Sequence, residues 1–341
     1  MSELTAAELA AVADRLDLAG VSTAGPLTSD LIAGGRSNLT YAITDGRTRW
    51  VLRTPPRAGR TASAHDVARE HRVTAALMSS GVPVADAVLL CKDEGVLGVP
   101  FTVSGFVDGL AIRTQADLAS YDDDRLATVV DSLLETLAAL HGVDHVAAGL
   151  ETFGRPDGYA ARQLRRWSGQ WDTVGEERLD GLAREVVARL TAALPEQRAT
   201  AVVHGDYRVD NTLLAPPGTA RADRVAAVVD WELSTIGDPV ADVAMMCAYR
   251  HPPFDLVVGA PSAWTSPRLP SVDDLATGYE RVGGVALEHW DFHRALACFK
   301  VAVISAGIDH RRRAGSGAGA GFDTAGGAVE PYLELAMQQL G

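Results

Sequence analysis

Lysine is almost missing from this 341-residue chain: Lys92 and Lys300 are the two lysines among 31 basic side chains. A phosphate-binding P-loop needs Gly-x-x-x-x-Gly-Lys-Ser/Thr, so that class of nucleotide site is excluded. Neither Gly-x-Gly-x-x-Gly nor Gly-x-Ser-x-Gly occurs, which removes the dinucleotide fingerprint and the hydrolase nucleophile elbow. Cysteine is scarce. Cys91, Cys247 and Cys298 lie far apart with no paired spacing and read as buried thiols in a reducing cytoplasm. No apolar run approaches a membrane span, and no basic-then-apolar leader opens the chain, so neither membrane insertion nor secretion is expected. Positive charge is in deficit: the net of −13 disfavours nucleic acid and anionic membrane surfaces as partners. No internal repeat is apparent, and oligomeric state is not readable.

What is present is a full complement of core-forming residues. A hydrophobic content of 47% supports a packed interior and argues against disorder. The length suits one two-lobed domain or two ordinary ones. The acidic excess is uneven. Residues 1–105 carry 10 basic and 11 acidic side chains, and the remainder carry 21 and 33. Such a second part suits a cationic ligand, or is a solvated surface.

The most informative segment is His204-Gly205-Asp206-Tyr207-Arg208-Val209-Asp210-Asn211, followed by Asp230-Trp231-Glu232. Val202-Val203 and Thr212-Leu213-Leu214 read as short apolar strands on either side of a tight loop. Asp206 and Asn211 then stand at opposite ends of that loop. Ala226 to Val229 is a further apolar run, and Asp230 terminates it. A carboxylate just past a buried strand is held rigidly, as a metal ligand must be. Metal-assisted phosphoryl transfer needs this set: one carboxylate for an acceptor hydroxyl, and an amide oxygen with a second carboxylate for Mg²⁺.

The periodicities predict a strand-rich first part and a helical second part. Residues 1–28 suggest a leading helix, amphipathic from Glu8 to Leu18, and Leu31 to Thr54 a hairpin region. Ser63-x-x-Asp66 predicts a capping box for a helix running to Ser80. Strands follow at Val84 to Leu90 and Val99 to Val107. Lys92 falls in an expected exposed turn. Further helices are expected over Leu126 to Leu140, Tyr159 to Trp171, Leu179 to Leu194, Pro239 to Tyr249 and Ala286 to Ser305. Ala314 to Ala328, rich in Gly and Ala, predicts a mobile loop. His289 and His293, four apart, and His141 with His145 read as helix-surface or helix-end residues rather than metal ligands.

On Gly34-Gly35-Arg36-Ser37-Asn38-Leu39-Thr40-Tyr41, Val51-Leu52-Arg53, the His204 to Asn211 motif, and Asp230-Trp231-Glu232 through Gly237-Asp238-Pro239, the chain resembles the aminoglycoside phosphotransferase and choline-kinase-like family. Within it, the branch related to kinase domains found beside acyl-CoA dehydrogenases is most similar. The resemblance spans roughly residues 30 to 310. It implies an α+β, protein-kinase-like, two-lobed fold. A small antiparallel-sheet lobe with one helix (1–105) would bind nucleotide, and a larger helical lobe (106–341) would carry catalysis and the acceptor. It also implies ATP or GTP and Mg²⁺ as cofactors.

Roles then follow. Gly34, Gly35, Ser37 and Asn38 cover the phosphates through backbone N–H groups. Arg53, not a lysine, offsets phosphate charge, with Glu70 as its helix partner. Asp206 meets the acceptor hydroxyl, and Asn211 and Asp230 hold Mg²⁺. His204 supports the loop, and Asp242 accepts backbone N–H groups from it. Glu232 either holds a metal-bound water or caps a turn. The implied acceptor is a small molecule: an aminosugar, an amino alcohol or a hydroxylated acyl-CoA. Arg162, Arg165, Arg166, Trp167 and Trp171 suggest either CoA contacts, with Trp stacked on adenine, or a solvated basic helix face. A nucleotide-binding pseudokinase with a regulatory or scaffolding role is the alternative. A protein kinase fits less well, since His-Gly-Asp replaces His-Arg-Asp and no Asp-Phe-Gly or Ala-Pro-Glu is present.

Overall fold

The computed structural model describes residues 3–33, 38–56, 66–315 and 319–341. These residues divide into two compact units. The first comprises residues 1–109 with 226–234, and the second 110–225 with 235–341.

The first unit runs α1 (Ala6–Leu18), β1 (Thr28–Ala33), β2 (Leu39–Thr44), β3 (Arg49–Thr54), α2 (Val67–Leu77), β4 (Ala87–Cys91), α3 (Glu94–Leu97) and β5 (Phe101–Gly105). The strands form one antiparallel sheet in the order β1-β2-β3-β5-β4. Strand alternation sorts β3 into two faces. Trp50 and Leu52 are buried, while Val51 and Arg53 are half-buried. Trp50 and Leu52 join Tyr41, Ile43, Phe101 and Val103 in a core closed by Leu9, Val12 and Leu16 of α1. The leading helix, expected from the amphipathic pattern of Glu8 to Leu18, is therefore part of this unit's core. Thr5 and Glu8 cap α1 reciprocally.

Helix α2 begins at Asp66, whose side chain accepts from the Arg69 N–H at 2.9 Å. The expected box placed Asp66 three positions inside the helix; it is instead the cap itself, and Ser63 lies outside the described residues. The buried stripe of α2 is Val67, Glu70, Val73 and Leu77. A glutamate thus occupies one slot of an otherwise apolar face, and α2 packs on β4 and β5.

The second unit is helical around a few short strands. It contains α4 (Asp123–His141), α5 (Tyr159–Val174), α6 (Asp180–Ala192), β6 (Ala201–Val203) and β7 (Thr212–Leu214). β8 (Val225–Val228) leads into the segment counted with the first unit. β9 (Thr235–Gly237), α7 (Pro239–Ala248), α8 (Phe254–Val258), α9 (Val272–Arg281), α10 (Trp290–Arg313) and α11 (Val329–Gln339) complete it. β6 does not pair with β7; it pairs antiparallel with β9. Leu214 of β7 instead exchanges backbone bonds with Leu110. α10 is the central rod, packed on α5, α7 and α11. No helix among the described residues is long and apolar enough to cross a membrane.

The Gly- and Ala-rich stretch departs from expectation. Residues 319–328 run through turns into a 3-10 helix with Ala325 and Ala328 buried. A side chain at Gly321 (φ 79°) would clash with the Val257 carbonyl oxygen, so glycine there permits tight packing on α8.

Candidate active site

In the second unit, the loop from β6 to β7 is built around Gly205. Its φ of 82° is one that glycine adopts without strain, which accounts for glycine where a kinase loop has arginine. The backbone N–H groups of His204 and Gly205 donate to the two oxygens of Asp242, at 2.6 and 2.8 Å. Asp242 is 2% exposed. Burial alone would raise its carboxyl; contact with His141, the His204 ring and these N–H groups together pull it below the ordinary value. His141 Nε2 stands 3.3 Å from Asp242, and its Nδ1 lies 2.7 Å from the Tyr279 hydroxyl. His141 is therefore a buried strut behind the loop, not a helix-end surface residue. His204 is fully buried, and its Nδ1 accepts from the Asp206 N–H at 3.3 Å.

Asp206 and Asn211 meet as the spacing implied. Asn211 Nδ2 donates to the Asp206 carbonyl and to Asp206 Oδ2, both at 2.8 Å. With the amide nitrogen committed, Oδ1 is the atom of Asn211 left to meet a cation. Arg208 was not singled out from sequence, although it lies two residues past Asp206. Its Nη1 is 3.4 Å from Asp206 Oδ1, and its Nε donates to Asp210 Oδ1 at 2.6 Å. The guanidinium lies over Tyr249 and Phe254, at 5.0 and 5.2 Å from the ring centroids. Burial opposes its charge, but Asp206 and Asp210 outweigh that and raise its pKa.

In the first unit a separate cluster forms around Arg53, opposite Thr40 and Thr102 in the sheet. Its Nε lies 3.1 Å from Glu70 Oε2, and its Nη2 donates to Asp230 Oδ1 at 2.9 Å. Asn38 Nδ2 donates to Glu70 Oε1 at 2.9 Å. Burial pushes the Glu70 carboxyl up to about 7 despite the neighbouring guanidinium, while Glu70 and Asp230 together raise Arg53 against its own burial. Asp230 takes a left-handed φ of 65°, and Trp231–Leu233 forms a 3-10 turn directly after it. Aspartate tolerates that conformation better than most residues, at about 1 kcal/mol of strain. Glu232 lies in this turn and adds to the negative field on Arg53. Gly34, Gly35 and Ser37, expected over the phosphates, lie outside the described residues. Lys92 is exposed beside the α3 cap, as expected.

The oxygen donors suit magnesium: a carboxylate at Asp230 and an amide carbonyl at Asn211 are hard ligands. Among the described residues no three His, Cys, Asp or Glu side chains cluster as a metal cage. Magnesium of this type takes its remaining ligands from phosphate and water.

Two sequence readings need correction. Trp167 and Trp171 are buried, at 7% and 4% exposure, so neither offers a face for adenine. Their indole N–H groups donate to Gln163 and Asp180. His293 is not a surface residue; it is 3% exposed and sits 3.6 Å from Asp238.

This chain belongs to the phosphotransferase enzyme family, whose profile matches residues 30–295. It is 33% identical to acyl-CoA dehydrogenase family member 10 of Mus musculus over 94% of the chain, and 33% identical to member 11 of Gallus gallus over 92%. It spans only 30% and 40% of those proteins' lengths. A crystal structure from Ralstonia eutropha JMP134, of a protein classed with the aminoglycoside phosphotransferases, superimposes with a TM-score of 0.83 at 30% identity. That match covers 97% of each chain. A thermostable mutant of aminoglycoside phosphotransferase APH(4)-Ia, in ternary complex with AMP-PNP and hygromycin B, shares the fold at a TM-score of 0.60 and 15% identity. It covers 92% of this chain and 93% of that one. The kinase-like phosphotransferase fold is thereby shown.

Proposed function

We propose that this protein is a small-molecule kinase that moves the γ-phosphoryl group of ATP, or GTP, to an acceptor hydroxyl. The observation that carries the reading is the Asn211 amide fixed on Asp206, which pairs a carboxylate with an amide oxygen five residues away. Asp206 accepts or orients the acceptor's hydroxyl proton, help worth roughly 10²–10⁴-fold in rate. Arg208 holds that carboxylate in place. Asp242 tethers the loop through two N–H groups, with His204 and His141 behind it. Arg53 offsets charge on the nucleotide phosphates, Glu70 fixes Arg53, and Asn38 fixes Glu70. Gly34, Gly35 and Ser37 cover the phosphates.

Asn211 and Asp230 would hold Mg²⁺, which supplies charge neutralisation at the phosphates when bound. Glu232 keeps its two sequence readings, a water-mediated metal contact or a turn cap. Arg53 and Asp230 pair with each other at 2.9 Å, so each would have to exchange that partner to serve a phosphate or a cation. The three buried free thiols support action in a reducing cytoplasm. Burial pushes Cys247 and Cys298 up to about 12, so they are inert.

Both lobes keep the acidic, amide and cationic groups that a pseudokinase commonly loses, which favours an enzyme over a scaffold. The acceptor is an aminosugar, an amino alcohol or a hydroxylated acyl-CoA; aminoglycoside and acyl-CoA occur in the names of similar proteins. The experiment is a coupled ADP-release assay with Mg²⁺-ATP, first without acceptor and then across those three classes. Slow basal turnover with strong stimulation by one class is expected. ATP binding without turnover under any condition refutes the kinase and leaves the pseudokinase.

A further inference from the structure

We propose that Lys300, His293 and Trp167 form an oxyanion subsite beside the catalytic loop, which receives an anionic oxygen group of the acceptor. The inference rests on the kinase reading only in calling that ligand an acceptor. Lys300 projects from α10, and its Nζ lies 3.4 Å from the carbonyl oxygen of Gly205, the residue before Asp206. An ammonium has three N–H donors. Among the described residues this long bond is its recorded hydrogen bond, and no carboxylate comes within ion-pair distance of it. The Trp167 ring centroid stands 5.7 Å from Nζ, a cation–π contact and not a counter-charge. Burial pulls the Lys300 pKa down, while Asp206 and Asp242 pull it up from a distance. Lys300 is half-buried, and a cation partly withdrawn from water with so little local compensation is favoured by an anion beside it.

A second, independent observation points to the same place. His293, 97% buried by its 3% exposure, has Nε2 toward Asp238 and an Nδ1 without a hydrogen-bond partner among the described residues. Both His293 and Lys300 line a hollow of about 20 Å³, together with Tyr159, Gln163, Trp167 and Met245. That space takes a water-sized group such as a carboxylate oxygen, and no sugar ring. The pocket then offers one cation, one neutral ring nitrogen and apolar walls. It matches a singly charged oxyanion carrying a neighbouring hydroxyl, and it repels an ammonium. The conflict left by the sequence, an acidic second part against an Arg-bearing helix, is resolved locally in favour of an anionic acceptor.

The test is binding without turnover, followed by tryptophan fluorescence and by thermal shift on the full chain. The probes are sodium glycolate and ethanolamine hydrochloride at matched ionic strength, against wild type and Lys300→Met. Saturable glycolate binding is expected, weakened about tenfold or more in Lys300→Met, with ethanolamine giving no saturable signal. Mg²⁺-ATP affinity is expected to be unchanged by the substitution. Glycolate affinity equal in both proteins, ethanolamine binding tighter than glycolate, or no saturable glycolate signal overturns the proposal. If Lys300→Met loses its cooperative melt, Lys300→Arg and His293→Gln carry the test. Retained anion selectivity in the first with weakened glycolate binding in the second supports the subsite, and any other pattern overturns it. Lys300-dependent glycolate binding in a protein that never turns over ATP sinks the kinase and keeps the subsite. Turnover with anion binding indifferent to Lys300 does the reverse.

Discussion

Arg53 serves two carboxylates with one guanidinium, and removing it exposes how the first unit is balanced. Consider Arg53→Met, Glu70→Gln and the double variant. The Glu70 side chain is 10% exposed and that of Asp230 35%. The Asp230 contact is solvent-screened and contributes at most about 1 kcal/mol. The Glu70 contact is buried, and breaking such a pair from one side costs about 3–5 kcal/mol where the stranded group stays charged. Protonation of Glu70 limits that loss. We therefore expect Arg53→Met to cost about 2–3 kcal/mol at pH 8, with an Arg53–Glu70 coupling of about 2 kcal/mol. The pH sign follows from Glu70. Its folded pKa of about 7 lies above the ordinary 4.5, so its favourable neutral form is present in acid and lost as pH rises through 7. Without Arg53 that loss is steeper, so the coupling should fall below about 1 kcal/mol at pH 5.5. Urea unfolding of the four proteins at both pH values measures this. A coupling near zero at pH 8, or one larger at pH 5.5, refutes the ion-pair account.

In the coupled ADP assay, Asp206→Ala should lose roughly 10²–10⁴-fold in turnover, and Asp230→Ala at least as much, because metal and positioning effects equal or exceed general-base help; a fully active Asp230→Ala enzyme contradicts the metal assignment. Asp242→Asn presents an amide NH₂ to one of the loop N–H donors and should cost about 2–3 kcal/mol in urea unfolding together with most of the activity; an unchanged midpoint counts against the tether. Burial lowers His293 to about 4. The stability held by its neutral ring is present above the ordinary 6.5 and is lost as pH falls toward 4, by up to about 3 kcal/mol. The stability profile of His293→Gln should be correspondingly flatter than wild type between pH 6.5 and 4, and parallel profiles would count against its neutral burial.

Local chemistry made the motif legible. Spacing pairs Asp206 with Asn211, because they lie five residues apart within one eight-residue loop between β6 and β7. Arg53 and Glu70 were readable as a cation ending a strand and a glutamate on the next helix; that Glu70 sits in the apolar stripe of that helix is a result of the fold. The strands β2, β3 and β5 and the long helices α4 and α10 follow from periodicity, which reports one buried face. Helices α8, α9 and α11 were not foreseen.

The tertiary structure decided what depends on contacts distant in the chain. That β6 pairs with β9 and not β7, that His141 and Tyr279 stand behind Asp242, and that Arg53 also binds Asp230 are all long-range outcomes. Burial reversed the meaning of Trp167, Trp171 and His293, since exposure is set by neighbours that sequence spacing does not name. The lysine census marked Lys300 as rare; only the packing of α10 against the Gly205 loop gave it an address. Sequence thus determined which atoms carry the chemistry, because reactivity belongs to side-chain type and local spacing. Folding determined which of them lose water and which partners compensate that loss, because desolvation and charge pairing are properties of the assembled core.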